Sequence, residues 1–184
     1  MLFNANLKTR RELMRWQSEH RARLLRLAWS WCGDVNTAED LVQEACRRGL
    51  KSRAELRDPR KLHTWMTRIM YRVWLDQLKS PRQRLEELED FSNDYQADQA
   101  SPEQLADARQ QALRVRSALA KLSPPQRQVI TLVDLEELSY AECAEVLEVP
   151  VGTVMSRLNR GRNALKQLLK NGDPKPAVQL RRVK

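Results

Sequence analysis

Apolar residues recur at intervals of three and four in the first part of the chain, which is the spacing of one face of an α-helix. The first stripe is followed by Gly33 and consists of Leu13, Trp16, His20, Leu24, Leu27, Ala28 and Trp31. Asn36-Thr37 predicts an N-cap, and the stripe after it consists of Ala38, Leu41, Val42, Ala45 and Cys46. Asp58-Pro59 predicts a break, and a helix over residues 62–79 carries a third stripe of Leu62, Met66, Ile69, Met70 and Val73.

The second part of the chain predicts helix starts as well as helix faces. Ser123-Pro-Pro-Gln126 and Ser139-Tyr-Ala-Glu142 both have the spacing of a capping box. The helix opened by Ser139 has one face formed by Tyr140, Cys143, Ala144 and Leu147. After a short turn over residues 148–151, a helix from about Gly152 to Leu169 carries a core stripe of Val154, Leu158, Gly161, Leu165 and Leu168. Gly161 on that stripe predicts a close approach of another helix.

The charge distribution separates these two parts. Residues 1–80 carry a net charge of +8, residues 81–110 a net charge of −5, residues 111–170 +3 and residues 171–184 +3. The acidic stretch has too few apolar residues to repay the entropy of ordering it. The expected fold class is therefore all-α, with a first helical domain at 1–80, a flexible acidic linker at 81–110, a second helical domain at 111–170 and a basic tail at 171–184.

The composition narrows the possible functions. The five glycines are too scattered for a phosphate-binding loop. The three cysteines and two histidines lack the spacing of a zinc site. We therefore expect no catalytic residue, metal, cofactor or small-molecule substrate. There is no apolar run long enough to cross a membrane and no signal-peptide pattern. We therefore expect the protein to be located in the cytoplasm. The net charge of +9 points to a polyanionic partner.

The last predicted helix presents a polar face opposite its core stripe. Ser156, Asn159, Arg160 and Asn163 occupy this face, with Thr153, Met155 and Lys166 beside it, and it contains no carboxylate. A helix, a short turn and a second helix with such a face have the pattern of a helix-turn-helix, whose second helix enters the major groove of DNA. Arginine and asparagine can each form two hydrogen bonds to a base edge there. From pattern alone, a solvated amphipathic helix remains the alternative.

Several segments of the second part resemble domain four of bacterial sigma factors, most closely those of the extracytoplasmic-function (ECF) group of the sigma-70 family. They are Leu122–Val129, Leu138–Ala144, Val149–Leu158 and Arg160-Gly-Arg162. In the first part, Ala38–Ala45 and Trp65–Ile69, together with Asp76, resemble domain two of the same group. The resemblance covers residues 10–79 and 111–169.

The resemblance implies a protein that binds core RNA polymerase, through its largest subunits and flap, and directs it to promoters. It implies that domain two recognises the minus-ten element and domain four the minus-thirty-five element, and it adds an anti-sigma factor as a further candidate partner. Two promoter elements about 25 base pairs apart lie about 85 Å apart. The average end-to-end distance of a flexible linker as long as the acidic stretch is only about 30 Å. The free chain is therefore expected to bind promoter DNA weakly.

The same resemblance assigns site residues. The expected polymerase-binding residues are Asp40, Gln43, Glu44 and Arg47. The expected minus-ten residues are Arg57, Arg60, Lys61, Trp65, Arg68 and Arg72. The expected minus-thirty-five residues are Thr153, Met155, Ser156, Arg157, Asn159, Arg160 and Asn163. Basic side chains interleaved with tryptophans suit unpaired DNA, because rings stack on bases while cations meet phosphates. Two of these tryptophans, Trp65 and Trp74, lie among the cations of the helix over residues 62–79, and for both a core position is the alternative.

Three positions depart from the pattern usual in the family: Arg72 stands where asparagine is frequent, Met70 where a small residue is frequent, and Met155 where a basic residue is frequent. Three other functions are compatible with parts of the sequence. A stand-alone helix-turn-helix regulator would bind DNA specifically without polymerase. An adaptor would use its helices only for protein contacts, and an enzyme has no nucleophile–base pair or metal cluster to support it.

Overall fold

The computed structural model describes residues 10–79 and 102–170, with side chains described from residue 110 onward in the second range. Over those residues the chain forms α-helices and no strand, as the all-α prediction requires. The helices are α1 (Arg10–Cys32), α2 (Val35–Lys51), α3 (Leu62–Leu78), α4 (Pro102–Ala120), α5 (Pro124–Ile130), α6 (Tyr140–Leu147) and α7 (Val151–Lys170). Two 3₁₀ turns, Arg53–Glu55 and Pro59–Lys61, precede α3, and a π-helical turn, Thr131–Leu135, extends α5.

The first three helices pack through the predicted stripes. Leu24, Leu41 and Met70 are almost completely buried between them. Gly33 ends α1 in the left-handed region, with φ of 75°, where a residue without a Cβ fits best. The predicted N-cap of α2 is wrong: the cap is Asp34, whose carboxylate accepts from the Thr37 amide at 2.7 Å. Gly33 alone reverses the chain between the end of α1 and the cap residue Asp34. The helix α2 therefore begins at Val35, earlier than the Asn36-Thr37 pair suggested.

The second group of helices consists of α4, α5, α6 and α7. In this group one predicted capping box is confirmed and the other is wrong. Ser139 accepts from the Glu142 amide, and the Glu142 carboxylate accepts from the Ser139 amide. Ser123 is the N-cap of α5, but its side chain makes no cap hydrogen bond. The Gln126 amide instead donates to the Ser123 carbonyl oxygen at 3.0 Å, so the predicted box is replaced by a backbone bond.

Gly161 allows α7 to approach α5 closely, as its place on the core stripe predicted. A Cβ atom at this position would lie 2.9 Å from Ile130 Cδ1 and 3.3 Å from Gln126 Cβ. Val154 and Leu158, on the same stripe, are buried. The α5–α7 contact sets the angle at which α7 projects its opposite face.

The two groups of helices share one continuous core. Buried residues of α1, α2 and α3 form a single cluster with those of α5, α6 and α7. Across this boundary the Trp31 indole N–H donates to Thr131 Oγ1 at 3.0 Å, and both residues are buried. The linker residues 80–101 and the tail 171–184 lie outside the described residues. Residues 102–110, also within the predicted linker, are helical and belong to α4.

None of the helices within residues 10–79 and 102–170 is long and apolar enough to cross a membrane.

Candidate nucleic-acid and polymerase interfaces

The outer face of α7 is open and has the polar character that the sequence predicted. Met155, Ser156, Asn159, Arg160 and Asn163 are exposed, whereas Thr153 and Arg157 are half-buried. Arg160 Nε donates to the Ser156 carbonyl at 3.2 Å, and Asn163 Nδ2 donates to Asn159 Oδ1 at 2.9 Å. These bonds stay within the helix, so they orient the side chains without covering the face. The arrangement can present amide and guanidinium donors to an acceptor surface.

A three-residue turn fixes α7 against α6. Glu148 ends α6 in the left-handed region, with φ of 56° and ψ of 44°. The Thr153 amide then donates to the Pro150 carbonyl at 2.9 Å, which starts α7. Together α6, this turn and α7 have the connectivity of a helix-turn-helix. The predicted helix-turn-helix connectivity is therefore confirmed, whereas contact of its second helix with DNA stays a prediction.

The predicted polymerase-binding residues lie along the outer face of α2. Asp40, Gln43 and Arg47 are exposed, and Glu44 is half-buried. The Glu44 carboxylate accepts from Arg47 Nε at 2.6 Å and from Arg48 Nε at 2.8 Å. These hydrogen bonds, that of Arg47 above all, lower the pKa of Glu44 to about 2. The α2 face thus carries a charge network that stays ionised at any physiological pH.

Arg48 extends the network on α2 to α3, and the sequence did not single it out as a site residue. Its Nη1 atom lies 2.6 Å from Asp76 Oδ2. Asp76, in turn, belongs to a segment that carries the sequence resemblance. The spacing of four residues between Glu44 and Arg48 was the available signal, whereas the bond to Asp76 depends on how α3 packs.

The predicted minus-ten residues fall into two groups in the structure. Arg57 and Arg60 are exposed in the segment between α2 and α3, where Arg60 Nε donates to Asp58 Oδ1 at 3.1 Å. Lys61, Arg68 and Arg72 lie at the start and along one side of α3 and face α6. The structure therefore does not bring all these cations to one open surface.

The two tryptophans of α3 differ in burial. Trp74 is 8% exposed and belongs to the main core, so of its two alternatives the core position is correct. Trp65 is half-buried and packs against the cluster of Leu13, Leu62 and Met66. Trp65 contributes to the core with part of its ring and leaves part exposed.

Polar contacts around the buried Glu136 link the two groups of helices. Glu136 is 5% exposed, and its Oε2 atom lies 2.6 Å from Arg23 Nε. His63 Nε2 lies 3.0 Å from the same carboxylate oxygen, without the alignment of a hydrogen bond. Sequence analysis missed all three residues because 113 positions separate Arg23 from Glu136 and no local pattern relates them.

The cysteines have the environment of core residues. Burial raises the pKa of Cys32 and that of Cys143 to about 12. Both thiols therefore stay protonated at neutral pH, and the reactive thiolate is disfavoured. Within the described ranges, no three histidine, cysteine or acidic side chains gather as a metal site would require.

Two segments of the chain match known protein families. Residues 17–84 match the family described as Sigma-70 region 2, and residues 112–165 match Sigma-70, region 4. The first contains the outer face of α2 and the basic side of α3, and the second contains α7 as far as Leu165.

Curated relatives of this chain are ECF RNA polymerase sigma factors. The ECF RNA polymerase sigma factor SigE of Mycolicibacterium smegmatis is 35% identical over 152 residues, which are 82% of this chain and 59% of SigE. The ECF RNA polymerase sigma factor SigW of Bacillus subtilis is 32% identical over 161 residues, which are 83% of this chain and 86% of SigW. The chain thus spans somewhat over half the length of the former relative and most of the latter.

Solved structures share the fold. The sigma factor RpoE in complex with the anti-sigma factor NepR, from Bartonella quintana, is 26% identical with a TM-score of 0.65. This match covers 86% of this chain and 99% of that one. CnrH in complex with the cytosolic domain of CnrY is 23% identical with a TM-score of 0.64, covering 90% of this chain and 92% of that one.

Proposed function

The chain belongs to the ECF RNA polymerase sigma factors of the sigma-70 family, and we propose that it directs core RNA polymerase to promoters through the outer faces of α2 and α7 and the basic side of α3. Sigma factors of this family initiate transcription without catalysing it, and we assign no catalytic residue to this chain. The cytoplasm, where polymerase meets the chromosome, is the proposed location. The observation that carries the proposal is the open, acid-free face of α7 within the residues that match region 4.

We assign recognition of the minus-thirty-five element to α7. Asn159 lies about 12 Å from the start of this helix at 1.5 Å per residue, in the half that enters the major groove of a helix-turn-helix complex. Its amide can bond adenine, and Arg160 can bond guanine. Met155 and Ser156 lie about one turn nearer the start of the helix, and Thr153 lies nearer still.

Run-off transcription with core polymerase across a library of promoter fragments tests this assignment. Asn159→Ala should reduce promoter-specific transcripts by about 5- to 100-fold, the value of one base contact, and relax the base preference at one position. Gln167→Ala is the matched control, because it is also an exposed amide of α7 but lies about 24 Å from the helix start. Equal transcription by both variants would contradict the assignment, as would tight specific DNA binding by a chain that never associates with polymerase.

We assign the outer face of α2 to contact with the largest polymerase subunits. Polar and charged residues give such a contact specificity and a fast association rate, and the Glu44 network holds Arg47 in place before docking. Arg47→Glu should weaken binding to core polymerase by tenfold or more. Arg15→Glu, an equal charge change at an arginine of α1 that is 82% exposed, should leave binding unchanged. Fluorescence anisotropy of the labelled chain titrated with core polymerase measures both.

We assign contact with the minus-ten element to the basic side of α3, with Arg57 and Arg60 nearby. An anti-sigma factor is a further proposed partner, because the similar RpoE structure is a complex with one. Copurification of this chain with a protein that suppresses its transcription would support that partner.

A further inference from the structure

Two exposed apolar side chains line the same hollow between α6 and α7. Met155 of α7 is 52% exposed, and Tyr140, the first residue of α6, is 39% exposed. The hollow has a volume of about 320 Å³, and the buried core residue Leu158 also lines it. Single exposed apolar residues are ordinary on protein surfaces, whereas adjoining ones with a polar rim mark an interaction site.

The rest of the hollow is polar. Asn159, Asn163 and Arg162 line it, and none of the described residues that line it is acidic. Arg162 Nε donates to Oδ2 of Asp134, in the π-helical turn, at 3.1 Å. That carboxylate first, and the Tyr140 hydroxyl after it, raise the pKa of Arg162. The rim is therefore held by three elements of the folded chain before any ligand binds.

The hollow lies where a helix-turn-helix meets the edge of the DNA groove. The first helix of such a motif crosses the sugar–phosphate backbone, and the second helix lies in the major groove. A hollow between the two helices therefore faces the outer edge of a base, next to the backbone of its strand. Met155 lies about 6 Å from the start of α7, in the half of the helix that contacts bases.

The chemistry of Met155 restricts what it can contact there. Its thioether has no N–H or O–H group, so it cannot donate to a phosphate or to an acceptor on a base edge. Among the four bases, the apolar group that the major groove presents is the C5-methyl of thymine. Contact between this methyl group and the side chains of Met155 and Tyr140 removes apolar surface of both molecules from water.

We propose that Met155 and Tyr140 bind the C5-methyl group of a thymine in the minus-thirty-five element, and that Met155 thereby determines the base preferred at one position. This inference rests on the proposed role of α7 in binding that element. Asn159 lies one turn further along the same helix face, about 6 Å from Met155, and successive base pairs are about 3.4 Å apart. The thymine should therefore lie within two base pairs of the position read by Asn159.

Replacement of thymine by deoxyuridine tests this contact, because deoxyuridine lacks only the C5-methyl group. The probes are the promoter fragments that the run-off library selects, with each thymine of the minus-thirty-five element replaced in turn. Competition binding measures their affinity for holoenzyme reconstituted from the full chain and core polymerase. We expect the wild type to lose about fourfold in affinity, the value of one buried methyl group, at one thymine within two base pairs of the Asn159 position.

Variants of the exposed Met155 side chain assign this loss. Met155→Ala should bind the thymine and deoxyuridine fragments equally, whereas Met155→Leu, with an apolar side chain of similar size, should retain the fourfold difference. Met155→Lys should prefer guanine at this position, because an ammonium can donate to guanine O6 and N7. Leu169→Ala is the matched control, since Leu169 is also an exposed apolar residue of α7 but lies about 27 Å from the helix start. It should retain the wild-type difference.

The outcomes separate this inference from the proposed function. Promoter-specific transcription without a deoxyuridine effect near the Asn159 position, or with an effect that Met155→Ala retains, would overturn the thymine contact and leave the proposed function standing. An unchanged effect in Tyr140→Ala would overturn the part assigned to the tyrosine ring. The absence of promoter-specific transcripts from every fragment would overturn the proposed function, and this inference with it.

Discussion

Replacing Thr131 with valine removes one buried hydrogen bond between the two groups of helices. Thr131 is fully buried, and its Oγ1 atom accepts from the Trp31 indole N–H at 3.0 Å. Valine keeps the volume of threonine but cannot accept, so the N–H of Trp31, a residue only 4% exposed, loses its partner. A buried donor without a partner costs about 1–3 kcal/mol. We expect Thr131→Val to lower the free energy of unfolding by that amount.

Thr67→Val is the matched control for this loss. Thr67 is also fully buried, in α3, but its hydroxyl has no hydrogen-bond partner among the described residues. Exchanging that hydroxyl for a methyl group removes an unsatisfied polar atom. We therefore expect Thr67→Val to be neutral or to raise the free energy of unfolding by up to about 1 kcal/mol. The same chemical exchange should thus have opposite effects at two buried sites.

Urea unfolding of the full chain, followed by far-UV circular dichroism, measures both effects. With a slope of about 2 kcal/mol per molar urea, the loss at Thr131 should lower the midpoint by about 0.5–1.5 M. A double-mutant cycle with Trp31→Phe isolates the bond itself, because the separate hydrogen bond from Thr131 to the Gln128 carbonyl cancels in the cycle. Equal midpoints for Thr131→Val and Thr67→Val, or no coupling to Trp31, would refute the shared core in the free chain.

Three further predictions concern single sites. Ser139→Ala should cost about 1 kcal/mol at neutral pH in urea unfolding. Because the Ser139 hydroxyl lowers the pKa of Glu142, this cost should shrink as the pH falls below about 4.3; a constant cost would contradict the capping box. Carboxyl NMR should find that Glu44 titrates near 2 and that Arg47→Ala raises this pKa, whereas an ordinary value in the wild type would exclude the network. Gly161→Val should lower the free energy of unfolding by about 1–3 kcal/mol, since even its Cβ atom would lie 2.9 Å from an isoleucine methyl group of α5; an unchanged thermal midpoint would contradict the close α5–α7 approach.

The errors of the sequence interpretation were local and had local causes. The pattern at Asn36-Thr37 predicted a cap, but the turn at Gly33 had already placed Asp34 in the extended conformation that a cap needs. The Ser123 spacing predicted a side-chain cap, but a backbone carbonyl satisfied the same amide. The cations near Trp74 in sequence suggested stacking on DNA as one of two alternatives, but its direction on α3 places it in the core.

The sequence by itself determined the helices, their buried faces and the polar face of α7. The reason is that helix periodicity and capping act over three to five residues, so apolar stripes such as Val154 and Leu158 specify which side of a helix is buried. Family motifs of the same short range then indicated the function.

Only the tertiary structure decided which faces meet. Nothing local relates Arg72 to Glu148, or Trp31 to Thr131, because these pairs form when two helical groups dock at a particular angle. The sequence pattern of a cation on an exposed helix face is the same whether its partner is DNA or a carboxylate of its own chain. The docking of the helices brings both Arg68 and Arg72, one turn apart on α3, within hydrogen-bond distance of the Glu148 carboxylate.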